Sequence, residues 1–158
     1  MHDALKVTHL FGDNAVFSAT LKVATSKDFF ISGALGPLKL TQKATGIPSD
    51  ADNLIGETGG NDFYLGGSSS NSTYLFFFGH KNAEISSKNK AAYFQYQITY
   101  IDKSGSRIFR VATFQREIVN DKKMSIAGFD QEAAIACISR LSAFKSERVE
   151  TVDLVYWL

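Results

Sequence analysis

Ala92-Tyr93-Phe94-Gln95-Tyr96-Gln97-Ile98-Thr99-Tyr100-Ile101 runs into Asp102-Lys103-Ser104-Gly105-Ser106, and Ile108-Phe109-Arg110-Val111-Ala112-Thr113 follows after Arg107. Phe94, Tyr96, Ile98 and Tyr100 recur at every second residue. That is the period of a pleated strand with one face buried. Phe109, Val111 and Thr113 share a face in the same way. The segment between them is made of turn formers, and Gly105 supplies the positive φ that a reversal needs. The spacing predicts a hairpin of two long strands, over residues 92–101 and 108–118. A domain whose clearest signal is a hairpin is expected to be built of sheets.

The rest of the chain agrees. Upstream, residues 17–24 alternate, with Phe17, Ala19, Leu21 and Val23 on one face and Ser18, Thr20 and Lys22 on the other. Thr25-Ser26-Lys27-Asp28 reads as a turn, and Phe29 to Ser32 as a short strand ended by Gly33. Leu38 to Gln42 resumes an extended run. Residues 43–62 are Gly-rich and polar, which predicts turns around a short strand near Leu54-Ile55. Phe63-Tyr64-Leu65 is a further strand candidate, and Gly66 to Thr73 reads as a mobile loop. Tyr74-Leu75-Phe76-Phe77-Phe78 is apolar throughout, as in a strand covered on both faces. Residues 79–90 read as an exposed polar loop. Composition points the same way, since 13 Phe and 6 Tyr are residues that favour a half-buried pleated surface.

The period changes after Phe129. Asp130 is an N-cap candidate, and Ala134, Cys137, Ile138, Leu141 and Phe144 recur at helical spacing. A helix is expected over residues 131–145. Thr151 is placed to cap a second helix carrying Leu154, Val155, Tyr156, Trp157 and Leu158. That pattern stops without a polar turn, as expected of a piece of a longer protein or of an end that a partner covers. The fold class is therefore mainly β: a β-sandwich or barrel of about seven short strands, a C-terminal helix and the start of a second. The boundaries are a β-sandwich over 1–128 and the start of a helical domain over 129–158.

A chain of 158 residues suffices for one core. Net charge is +1, but residues 81–123 hold nine Lys or Arg against four Asp or Glu, a local excess of +5. Such a region suits phosphates or anionic lipid, or is simply a solvated face. Cys137 is the single cysteine, which excludes a disulfide within the chain and fits a reducing compartment. The start, Met1-His2-Asp3, lacks the basic and apolar regions of a signal peptide, and the longest apolar run, residues 133–138, is too short to cross a membrane.

No constellation for chemistry emerges. His2, His9 and His80 stand at no metal-ligand spacing to one another or to Cys137. His2 and His80 read as exposed and inert, and His9 as structural. Cys137 lies on the apolar helix face, without a visible base to activate it, and reads as a packed thiol. Ser68, Ser69, Ser70 and Ser72 lack a nucleophile elbow. The Gly-rich stretches match neither the phosphate loop nor the dinucleotide fingerprint. Asp130, Glu132, Glu147, Glu150 and Asp153 suit helix starts or solvated faces, with no pair singled out. Arg110 and Arg116 share a strand face, and Arg107 lies beside them. They suit an anion-binding stripe or, as we expect, salt bridging across the sheet. Catalytic, cofactor-binding and metal-ligating residues are accordingly none.

Several stretches, in order, resemble one family. Residues 19–28, Ala-Thr-Leu-Lys-Val-Ala-Thr-Ser-Lys-Asp, and then Ile31-Ser32-Gly33-Ala34-Leu35-Gly36-Pro37, are similar to the start of the β-sandwich in the GTPase-activating subunit of the COPII vesicle inner coat. Leu54 to Gly60, the hairpin from Phe94 to Thr113, and Phe129-Asp130-Gln131-Glu132-Ala133-Ala134 continue the likeness, the last resembling the opening of that family's helical domain. The resemblance spans residues 17–158 and is weak at 1–16, 66–73 and 74–78. It implies a structural scaffold segment in endoplasmic-reticulum-to-Golgi transport, cytoplasmic and peripheral on that membrane and its vesicles. The implied partners are the cargo-binding COPII subunit and a Sar-type small GTPase, with an anionic membrane surface facing the basic middle region and no nucleic acid. The family's zinc finger and arginine finger fall outside this chain, so the resemblance implies no cofactor and no catalysis here. The family's sandwich also takes strands from the far N-terminus, a place that residues 5–11 would have to fill. The other reading is a free-standing sandwich that binds a ligand or peptide through the loops at 43–62 and 66–73.

Overall fold

The computed structural model describes residues 15–43, 55–81, 91–119 and 121–147. The strand expected at 5–11, the helix expected from Thr151, and residues 44–54 and 82–90 of two expected loops lie outside these. The described strands are β1 Val16–Thr25, β2 Phe29–Leu35, β3 Lys39–Leu40, β4 Ile55–Gly56, β5 Asp62–Ser68, β6 Leu75–His80, β7 Ala91–Ile101 and β8 Arg107–Glu117. Two helices follow, α1 Lys122–Ala127 and α2 Gln131–Ser146. One sheet has the order β3-β5-β1-β7-β8 and the other β4-β2-β6. The expected mainly β sandwich with a C-terminal helix is the observed fold.

Alternation places the core. From the five-stranded sheet, Ala19, Leu21, Val23, Phe63, Phe94, Tyr96 and Ile98 point inward and are buried. Ile31, Tyr74, Phe76 and Phe78 meet them from the other sheet. The contact is largely ring on ring: Phe76 lies 5.4 Å from Phe63 and 6.0 Å from Tyr96, and Phe78 lies 4.5 Å from Phe94. These are the offset and edge-on separations that aromatic pairs prefer.

The apolar run from Tyr74 to Phe78 is buried on both sides, as its composition predicts. Phe76 and Phe78 face the other sheet. Leu75 and Phe77 face outward with Leu35, where Cys137, Leu141 and Phe144 of α2 cover them. The domain thus has three layers, with β6 in the middle one. Asp130 caps α2 as expected, its carboxylate accepting from the Ala133 amide at 3.0 Å. Helix α1 escaped the sequence reading because six residues carry less than two turns of periodic signal. Its N-cap is Asp121, accepting from the Lys123 amide at 3.0 Å.

Several local expectations are corrected. Phe17 does not share the buried face of Ala19, Leu21 and Val23; it is exposed, and Val16 is buried in its place. The cause is a bulge: Ser18 takes a positive φ of 48°, and the register with both β5 and β7 shifts there. One extra residue in the ladder reverses the alternation. Gly33 does not end its strand, since β2 runs on through it to Leu35. Gly66, Gly67 and Ser68 are strand and not loop, with Ser68 opposite Val16. Gly79 and His80 likewise extend β6. A Cβ on Gly79 would stand 2.5 Å from the end of the Phe30 ring, so glycine there is the seat for that ring.

Candidate interaction face

The hairpin of β7 and β8 is closed by Asp102. Its carboxylate accepts from the Ser104 hydroxyl at 2.6 Å and from the Ser104 and Ser106 amides at 2.9 Å each. The Ser104 hydroxyl chiefly, helped by those two amides and by Lys103, holds the Asp102 carboxyl below its usual range. Gly105 sits beside it at φ 84°. From this turn the two strands pair through eleven consecutive rungs, from Ile101 opposite Arg107 to Ala91 opposite Glu117, without a register shift.

β8 is the last strand of its sheet. Its inward side carries Ile108, Ala112 and Phe114, partly buried against the core, with Arg110 and Arg116 at alternate positions among them. The Arg110 guanidinium stands 5.8 Å over the Tyr100 ring. Arg116 donates to the Gln115 carbonyl at 3.0 Å. Phe114 meets Tyr96 edge-on at 5.7 Å. The outward side of β8 exposes Phe109 and Val111. The face that Phe109 and Val111 share is therefore the solvent face of the strand. In the same sheet, Lys22 of β1 and Asp62 of β5 form a salt bridge at 3.7 Å. A shallow depression on the same outer face is lined by Thr20, Lys22, Asp62, Gln97, Thr99 and Phe109.

Tyr96 is fully buried, and its hydroxyl has no hydrogen-bond partner among the described residues. Burial pushes its pKa well up, and the nearby charge of Arg116 opposes this in part. Nothing in the alternation of Phe94, Tyr96, Ile98 and Tyr100 marks one tyrosine as the buried, unpartnered one. The signal is tertiary: Phe76 and Phe114 flank its ring.

The other candidates are dispersed. His80 is not in an exposed loop; it ends β6 with its ring 4.2 Å from that of Phe29, and among the described residues neither ring nitrogen has a hydrogen-bond partner. Ser68 is buried at the end of β5 and shares a hydrogen bond with the Tyr74 hydroxyl. The Ser69 amide donates to the Ser72 hydroxyl at 3.0 Å. Cys137 packs beside Leu35 and Phe77, and burial first, then the Asp130 charge, pushes its thiol pKa up. Glu132 lies in the first turn of α2, and Glu147 is the residue at its C-cap. Arg107 begins β8, exposed. His2, His9, Glu150 and Asp153 lie outside the described residues. Among the described residues no three His, Cys, Asp or Glu side chains come together.

Comparison with known proteins bears on this unit as a whole. Residues 16–119 match the family model described as the Sec23/Sec24 beta-sandwich domain, and so span all eight strands. Protein transport protein SEC23 F of Arabidopsis thaliana is 30% identical over 148 residues, covering 90% of this chain and 19% of that protein. The chain therefore spans about a fifth of the length of that relative. The crystal structure of the human COPII-coat protein Sec24c superposes with a TM-score of 0.62 at 15% identity, over 82% of this chain and 15% of that one. At that identity the likeness is one of fold.

Proposed function

The chain belongs to the Sec23/Sec24 β-sandwich family, and from that premise we propose that it is a structural scaffold segment of a GTPase-activating, Sec23-type subunit of the COPII inner coat. The observation that carries this reading is the extent of the match. It covers β1 to β8 entire, and a relative that aligns across nearly the whole chain is a Sec23-type transport protein. A module built as three packed layers, with the aromatic side chains of β6 in the middle, is suited to holding neighbouring domains at fixed angles. In this reading the segment has no catalysis and no cofactor of its own. Its parent works at the cytoplasmic side of the endoplasmic reticulum with a cargo-binding subunit and a Sar-type GTPase.

The test is a chimera in which this chain replaces the equivalent span of a Sec23-type subunit. The chimera is expected to bind the cargo-binding subunit and to accelerate GTP hydrolysis by the Sar-type GTPase as the parent does. The chain alone is expected to leave that hydrolysis unchanged. A folded chimera that fails to assemble, or acceleration by the chain alone, refutes the reading.

A further inference from the structure

Among the described residues, Ser18 is the one non-glycine that holds a positive φ, at 48°. L-residues avoid that region, so the conformation is strained. It marks the bulge of β1, and the bulge works against burial. It turns the smaller Val16 into the core and leaves the larger Phe17 55% exposed. Plain alternation would do the reverse and bury more apolar surface. Bulges re-aim side chains, and backbone strain of this kind gathers at functional sites.

Phe17 does not stand alone. Lys39, Tyr64, Thr20, Thr99 and Phe109 lie opposite one another across all five strands and form one outward rung. Phe17, Ile101 and Arg107 form the next. Three exposed aromatic side chains, Phe17, Tyr64 and Phe109, therefore surround Thr20 and Thr99. The shallow depression on this face crosses the same strands, from Thr41 next to β3 to Phe109. Five strands at about 4.8 Å make a track of about 19 Å, the length of a helix of about 13 residues. Its ends are basic: Lys39 lies at one margin of the sheet and Arg107 at the other, both exposed. Of the carboxylates nearby, Asp62 is paired with Lys22, and Glu57 accepts from the Leu40 amide. A second copy of the chain would bring further cations to these ends, whereas carboxylates would complement them.

We propose that this outer face is a docking surface for an amphipathic helix of a partner protein, with Phe17 as its anchor. The helix crosses the strands. Its apolar side sets on Phe17, Tyr64 and Phe109, and a carboxylate at each end faces Lys39 or Arg107. The inference rests on the bulge and the face it serves, and stands apart from the coat assignment.

The probe is a fluorescent synthetic peptide of about 13 residues, with leucines along one face, glutamates at both ends and a lactam bridge to hold the helix. Its control carries lysines at both ends. Anisotropy with the full chain is expected to show the acidic peptide binding, salt weakening it, and the lysine control about tenfold weaker. Phe17→Ser is expected to weaken binding at least about tenfold. The same variant keeps a urea midpoint close to the parent's, since an exposed ring adds little to folding. The proposal is overturned if the acidic peptide does not bind, if the lysine control binds equally, or if Phe17→Ser leaves binding intact. It is overturned too if Phe17→Ser lowers the urea midpoint as a core substitution would, because the ring then serves packing. A dimer seen in sedimentation and dissolved by Phe17→Ser also overturns it, because a second copy then fills the face.

Discussion

Phe76 and Phe77 are adjacent, chemically identical and both buried, yet they face different layers, and Leu substitutions should separate them. Phe76 is fully buried in the ring layer, 5.4 Å from Phe63 and 6.0 Å from Tyr96. Removing its whole side chain would forfeit about 150–250 Å² of apolar burial, or about 4–6 kcal/mol at ~25 cal/mol per Å². That approaches the whole stability of a small domain, about 5–15 kcal/mol, so Phe76→Ala is too severe to interpret. Phe76→Leu keeps most of the aliphatic burial and loses the two ring contacts, each worth about 0.5–1.5 kcal/mol. A loss of about 1–3 kcal/mol is expected. Phe77→Leu acts against α2, none of whose residues is fully buried, and a helix so lightly seated can follow the smaller side chain. About 1 kcal/mol is expected there. Urea unfolding followed by circular dichroism reads both, with an unchanged m value showing that the unfolded reference is the same. If Phe77→Leu is the more damaging, or Phe76→Leu stays within about 0.5 kcal/mol of the parent, the layer order argued above is wrong.

Tyr96→Phe removes a buried hydroxyl that has no partner, so the melting temperature should rise, by an amount equivalent to about 1–2 kcal/mol; a fall would mean the hydroxyl is satisfied in solution. Gly56 has φ +65° and a Cβ there would stand 2.0 Å from the Ala34 carbonyl oxygen, whereas Gly59 at φ +86° faces open space. Gly56→Ala should therefore lose more than about 2 kcal/mol and Gly59→Ala only about 1 kcal/mol, and equal losses in urea titrations would count against the close approach. The Asp102 carboxyl has a folded pKa below its unfolded value, so its contribution is present above the unfolded pKa of about 4 and is lost as pH falls through the folded one. The gap in urea midpoint between the parent and Asp102→Asn should accordingly be full at neutral pH and close in acid; a gap that widens in acid would contradict the clamp.

The hairpin, the capped helix and the doubly covered strand were legible because each has its own period. Phe94 to Tyr100 alternate, Ala134 to Phe144 recur at helical spacing, and Tyr74 to Phe78 do not vary at all. What was lost lay where a backbone choice overrides the pattern. A non-glycine positive φ at Ser18 reverses the faces of β1 at Phe17, and no composition rule anticipates it. Gly66, Gly67 and Gly79 looked like breaks because glycine weakens strands, yet tertiary pairing carries β5 and β6 through them. On β8 the alternation was legible, but which of its two faces meets the core was not. Phe109 and Val111 are exposed, and the side turned to the core carries Ile108, Ala112 and Phe114 with two arginines among them. The unpartnered Tyr96 hydroxyl and the Ser68–Tyr74 hydrogen bond depend on contacts between strands that are distant in the chain.

From Leu75 to Phe78, β6 has no wet face, and that changes what can hold it in place. Most strands are aligned by hydrophobic contrast, since slipping by one residue would turn oily groups out to water. Along Leu75-Phe76-Phe77-Phe78 a slip would exchange one oily group for another, and contrast has nothing to grip. Alignment must come from shape, and one shape constraint is the close seat of the Phe30 ring on Gly79, where a Cβ would stand 2.5 Å from the ring's end. Shape also limits exchange within the run, since Phe76→Leu would give up the rings of Phe63 and Tyr96. One mark that fixes the position of the run is the residue beside it that has no side chain.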